Sequence, residues 1–190
     1  MTNPFASFLA APVGITFENQ ERGEEIILFL RAHIVTLVPA LLLIIFLSVL
    51  PFLLITLSSL LGISVGTFTV SQIFIIDIFW YLFIFAYGFF RFVLWYFNVY
   101  ILTNERIVDF DFKGLLNKEI SYTTLTHIED IEPKTIGFFG TFFNYGNVYI
   151  QTAAALPEFD FEKVPRPDSV AEAILEQVRK EEAEAPGEIA

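Results

Sequence analysis

Forty-five consecutive residues, Ala32 to Ile76, carry no acidic side chain and no basic one except the weakly basic His33. As one helix this run would be roughly 67 Å long at 1.5 Å per residue, twice the thickness of a bilayer's hydrocarbon core. It must therefore break. The break falls where Ser58, Ser59, Gly62, Ser64, Gly66, Thr67 and Ser71 gather small and helix-disfavouring residues between a Leu/Ile-rich segment and a Phe-rich one. Two membrane spans are expected, near 33–57 and 70–96, forming a hairpin within 32–97. Pro39 and Pro51 predict a bent first span, since each removes a backbone donor. Trp80 and Tyr81, and then Trp95, Tyr96 and Tyr100, are expected as aromatic belts at the two interfaces.

Basic residues set the orientation. Arg22 and Arg31 precede the first span, Arg91, Arg106, Lys113 and Lys118 lie at or after the end of the second, and the connection has none. The expectation is a multi-pass protein of the cell membrane with both termini cytoplasmic. The first 21 residues contain no Lys or Arg, which argues against a cleaved secretory signal. Residues 1–31 are expected as a cytoplasmic or interfacial segment, with Glu24 to Arg31, EEIILFLR, beginning an interfacial helix that continues into the span.

Within the spans, Asp77 and Arg91 are the charged residues. They are 14 residues, about 21 Å, apart on one helix. The reading adopted is that Arg91 snorkels to the cytoplasmic interface and Asp77 lies just inside the far headgroups. A transport component built around Asp77 is the alternative, but the first span offers it only His33, Thr36, Ser48 and Thr56 as polar company.

After Tyr96 the periodicity changes to two, the mark of half-buried strands. In RIVDFDFK, Val108, Phe110 and Phe112 fall on one face and Asp109, Asp111 and Lys113 on the other. NVYILT, NKEISYTT, HIEDIEP, GNVYIQT and EFDFEKV supply further strands, with turns at Thr103-Asn104-Glu105 and Lys113-Gly114. A C-terminal helix follows Pro165 and Pro167, with Ser169 and Glu172 read as a capping box and Val170, Ile174 and Val178 on its apolar face. A small antiparallel barrel closed by this helix is expected over 98–180, giving a membrane helical hairpin plus an α+β domain. The acidic tail, 181–190, is expected to be disordered.

The stretches YILTNERIVDFDFKGLL, HIEDIE, GFFGTFFNYGNVYIQTA and FEKVPRPDSVAEAI, in this order after two spans, resemble the bacterial membrane-anchored pleckstrin-homology-like family, formerly a domain of unknown function. The resemblance covers about Trp95 to Lys180. It implies a pleckstrin-homology-like barrel with a C-terminal helix on the cytoplasmic face, and brings no established enzymatic activity.

Phosphoinositide binding does not follow. Residues 98–164 hold five Lys/Arg against ten Asp/Glu, and the whole chain has a formal charge of −11. Such a balance disfavours nucleic acid and anionic headgroups alike. Cysteine is absent, which removes thiolate nucleophiles and Cys-based zinc sites. His127, Glu129 and Asp130 come nearest to a metal cluster, but three or four converging ligands are needed and the other His is in the membrane segment. No metal, cofactor or catalytic residue is expected.

GFFGTFFNYG remains. If Phe138 to Phe143 makes a helical turn bounded by Gly137 and Gly146, Phe138 aligns with Phe142 and Phe139 with Phe143. One pair is expected to enter the core, and burial of all four in the core or against the hairpin is the plainer reading. Any aromatic surface left over would touch lipid, the hairpin or a partner. Gly137, Gly140, Asn144 and Gly146 shape the turn, and Phe138, Phe139, Phe142, Phe143 and Tyr145 form the candidate interaction loop. The expected function is a noncatalytic scaffold, integral to the bilayer, that binds a protein partner or its own copies; a membrane-lipid sensor using Arg106, Lys113 and the Phe loop is the alternative.

Overall fold

The computed structural model describes residues 5–12, 14–17, 19–62, 69–114, 117–153 and 159–183. Ser64, Gly66 and Thr67 of the predicted break, and residues 184–190 of the acidic tail, lie outside them. The chain forms two compact units, 37–93 and, together, 1–36 with 94–190.

The first unit consists of α1 (Val38–Leu60), which continues a 3-10 turn at Ile34–Leu37, and α2 (Val70–Phe97), whose last turn belongs to the other unit. The segments Ile34–Leu60 and Val70–Phe97 are both long and apolar enough to cross a membrane, and few of their apolar side chains are buried. Pro51 sits inside α1. Lacking an N–H, it leaves the carbonyl of Leu47, four residues back, without its helical donor. The Trp80 indole N–H donates to that carbonyl at 3.0 Å, and the Tyr81 hydroxyl donates to the neighbouring Ser48 carbonyl at 3.0 Å. These two aromatics lie ten residues or more inside α2 and both donate to α1. In hydrocarbon a freed carbonyl must find such a donor within the protein. Gly88 supports the same packing, because a Cβ there would come within 2.9 Å of the Ile44 side chain.

The second unit holds two antiparallel sheets. In the first, β1 (Phe8–Ala10), β2 (Ile26–Arg31), β3 (Val99–Thr103), β4 (Arg106–Phe112) and β5 (Lys118–Thr124) lie in sequence order. The second joins β6 (Ile128–Thr135), β7 (Tyr145–Thr152) and β8 (Phe159–Pro165). A short helix α3 (Gly137–Phe143) connects β6 to β7, and α4 (Pro167–Ala183) follows β8. The six predicted strands are present, but the expected closed barrel is not. A 3-10 turn at Leu125–His127 carries the chain from β5 into the second sheet, and no ladder joins the two sheets among the described residues.

Leu28, Leu30, Leu102 and Ile107 from the first sheet meet Ile131, Val148, Ile150, Phe161 and Val164 from the second, with Val170, Ile174 and Val178 of α4 completing the core. The apolar face predicted for the C-terminal helix is thus the buried one. Its start is different: the helix begins at Pro167, so Ser169 lies inside the first turn rather than at a cap, while Glu181 to Ala183 extend it into the expected tail. Pro at the first helical position loses nothing, since that N–H has no partner in a helix.

Glu24 to Arg31 is also corrected. Instead of an interfacial helix, Ile26–Arg31 is a central strand paired with Leu9 and its neighbours on one side and with Val99 to Thr103 on the other. The strand is buried on both faces: Leu28 and Leu30 enter the main core, while Phe29, and Ile26 across a register shift before Leu28, join a second cluster with Ile101, Val108 and Phe110 on the sheet's opposite face. Both faces of the first sheet are therefore covered, and the Val108/Phe110 side packs under Ile15 and Phe17 of the N-terminal segment.

Candidate functional site

Two faces of the second unit carry the residues singled out by sequence. The first is the β3–β4 hairpin, where Arg106 and Lys113 would be the basic groups of a headgroup site. Both are engaged. The Arg106 guanidinium donates from Nε and Nη2 to the two carboxylate oxygens of Glu24 at 2.9 Å each, donates to the Asn19 carbonyl, and lies 3.6 Å from Glu21. The Glu24 side chain is fully buried. Burial works against its charge, but hydrogen bonds from Arg106, the Glu21 backbone N–H and Thr103 outweigh that and hold its pKa below the ordinary carboxylate value. Lys113 is paired with Glu119 at the far end of the hairpin.

Asp109 departs from the expected solvent face. It shares a side of β4 with Ile107, which is fully buried, and stands opposite Tyr100. Burial, reinforced by Asp111, Glu119 and Glu162 and only partly offset by Lys113, raises its pKa to about 7. Because the folded value lies above the ordinary 3.8, the fold prefers the protonated acid. This contribution to stability is complete below pH 3.8 and is lost as pH rises through about 7. Asp109→Asn should therefore raise the melting temperature of the full chain in mild detergent by several degrees at pH 8, by less at pH 5, and leave it nearly unchanged below pH 3.8; equal effects at pH 8 and below pH 3.8 would contradict this placement.

The second face is built around α3. Gly137, with φ of +72°, starts the helix, and Asn144, left-handed at φ +51°, ends it. Behind it the frame is tight. A Cβ at Gly146 would clash with the Lys134 carbonyl oxygen, and one at Gly140 would meet the Tyr145 carbonyl oxygen at 2.9 Å. The Asn144 carbonyl accepts the Arg166 N–H at 2.9 Å, tying the end of α3 to the end of β8. The four phenylalanines point away from this frame. Phe138, Phe139, Phe142 and Phe143 are 76%, 62%, 71% and 41% exposed, so neither pair enters the core and none of the four is buried. They contact each other instead: Phe138 stacks with Phe142 at 6.1 Å between centroids, and Phe142 meets Phe143 edge-on at 4.9 Å. The physical reason is the glycine frame, which brings backbone against backbone and leaves no room for rings on the inner side.

His33 adds a connection not anticipated from sequence. Its ring stacks on Tyr145 at 5.4 Å and lies 6.4 Å from Phe143, while its backbone N–H donates to the Lys163 carbonyl at 2.7 Å. His33 is the residue before the apolar segment that starts at Ile34. Close by, the indole N–H of Trp95 donates to the Ala32 carbonyl at 2.8 Å, so the outgoing and returning chains lie side by side at this edge.

No protein-family model matches the sequence, and no curated protein does. Among solved structures the chain is similar to a DUF1696 family protein with a pleckstrin-homology domain from Shewanella loihica PV-4. The two are 18% identical over 43% of this chain and 70% of that one, with a TM-score of 0.34.

The other singled-out residues are dispersed. Asp77 is half-buried in α2, three and four residues before Trp80 and Tyr81 and so on their side of the helix, whereas Arg91 is exposed. His127 is in the 3-10 turn rather than on a strand, with its Nδ1 2.8 Å from the Thr124 hydroxyl. Among the described residues no three His, Asp or Glu side chains converge as metal ligands would.

Proposed function

We propose that the protein is a two-span membrane protein with both termini cytoplasmic, holding its two-sheet domain at the inner leaflet as a noncatalytic scaffold for a partner strand, from another protein or from a second copy. The observation that carries this is the outer edge of β5, which pairs with no other strand among the described residues. A sheet edge invites strand addition unless it is short, charged or interrupted. The other three edges have such guards: β1 is three residues long, β6 carries Glu129, Asp130, Glu132, Pro133 and Lys134, and β8 carries Asp160, Glu162, Lys163 and Pro165. On β5 the charges stop at Glu119, leaving Ile120 to Thr124 uncharged, with Tyr122 67% exposed. The prior commitment of Arg106 and Lys113 to carboxylates supports the scaffold over a headgroup sensor built on those two residues.

Tyr122→Lys places a guard charge on this edge at a position whose exposure spares the fold. Crosslinking in native membranes is expected to lose its adducts with Tyr122→Lys and keep them with Tyr122→Phe. Undiminished adducts with the lysine variant would refute strand addition here.

A further inference from the structure

We propose that α3 is a third membrane anchor, a rigid aromatic wedge that inserts into the interfacial zone of the same leaflet through which the chain passes. The inference rests on the reading that Ile34–Leu60 spans the bilayer. Three observations carry it. The exposed large side chains of α3 are its four phenylalanines, joined by exposed Ile136; the remaining exposed side chain, Thr141, has its hydroxyl donating to the Gly137 carbonyl, and no charged residue occurs from Thr135 to Thr152. Their frame is fixed by Gly140 and Gly146 at backbone contact distance, so they are presented outward rather than folded away. Finally, Tyr145 and Phe143 flank His33, one residue before the apolar segment begins, and the Ala32–Trp95 hydrogen bond marks the same edge. A surface this close to the point where the chain turns into hydrocarbon sequence lies at the depth of the headgroups, and its aromatic rings suit that zone.

The occupant is thus lipid, and lipid of no particular charge. With no cation on the wedge and a net charge of −11, insertion should be driven by apolar burial and should not require anionic lipid. A protein partner on α3 is the competing outcome.

The chain has no cysteine, so single introduced thiols report cleanly. Full-length Phe142→Cys, Leu53→Cys and Glu172→Cys are each labelled with an environment-sensitive fluorophore and reconstituted in phosphatidylcholine vesicles, with and without phosphatidylglycerol, containing acyl-chain-brominated lipid. The proposal expects several-fold stronger quenching at 142 than at 172, with or without phosphatidylglycerol. A signal at 142 equal to that at 172 overturns it, as does quenching that appears only with phosphatidylglycerol, or shielding that persists unchanged in detergent solution and so comes from protein. Residue 53, in α1, separates the two failures: quenched at 53 but not at 142, the span stands and the wedge falls; quenched at neither, the spanning reading itself fails.

Discussion

Arg106→Ala is expected to destabilise the domain by about 3–5 kcal/mol, because it strands the fully buried Glu24 carboxylate without its bidentate partner. For a chain of this size that corresponds to a melting temperature lowered by roughly 10 °C. Removing both charges is a different experiment. In Glu24→Gln with Arg106→Met no buried charge is left over, and more than half of the loss should return, since a buried pair contributes little beyond a well-packed apolar substitute. The acid response follows from the sign of the Glu24 shift. Its folded pKa lies below the ordinary value, so its stabilisation is present above the unfolded carboxylate pKa and fades as pH falls through the folded one. Arg106→Ala should lose this part of the acid response. Thermal melts in detergent across pH 3 to 8 decide the matter, and a single variant within about 0.5 kcal/mol of the parent would rule out a buried ion pair of this kind.

The pair also illustrates which features can be read from residue order. Strand identity after Tyr96 follows from alternation, which is local, and Val170, Ile174 and Val178 identify the buried face of α4 from spacing alone. Neither β2 nor the Glu24–Arg106 contact is local. IILFL, ahead of Arg31, is apolar throughout because it is buried on both sides, so its pattern has no period to distinguish it from the start of a membrane helix, and β3, the longer of the two strands it pairs with, lies about 70 residues later. Asp109 misleads for the same reason: Val108 and Phe110 mark an apolar face, but the face opposite is covered as well. The aromatic loop was legible as a helical turn from its Phe spacing and bounding glycines. Its exposure was not, because that depends on Gly146 meeting the Lys134 backbone across the β6–β7 ladder. His33 beside Tyr145 left no signal in the sequence, the two being more than 100 residues apart.

Trp95→Ala is the second large effect expected. Trp95 is 6% exposed, its indole N–H reaches the Ala32 carbonyl, and Ala32 follows Arg31, whose guanidinium lies 4.3 Å from the centre of the adjacent Tyr96 ring. Truncation removes a large buried ring, at a cost of about 3–5 kcal/mol. Trp95→Phe keeps most of the volume and deletes only the donor, and should cost about 1–3 kcal/mol. The difference between the two variants separates packing from the hydrogen bond. It matters for function because this contact holds together the chain's departure after Arg31 and its return before Val99, next to the His33–Tyr145 stack that carries α3. If α3 is a wedge, a loosened edge should let it leave the interface. Quenching of the probe at residue 142 by brominated lipid should then fall in Trp95→Ala and stay near the parent level in Trp95→Phe, whereas equal quenching in both would place the wedge's support elsewhere in the β6–β7 frame.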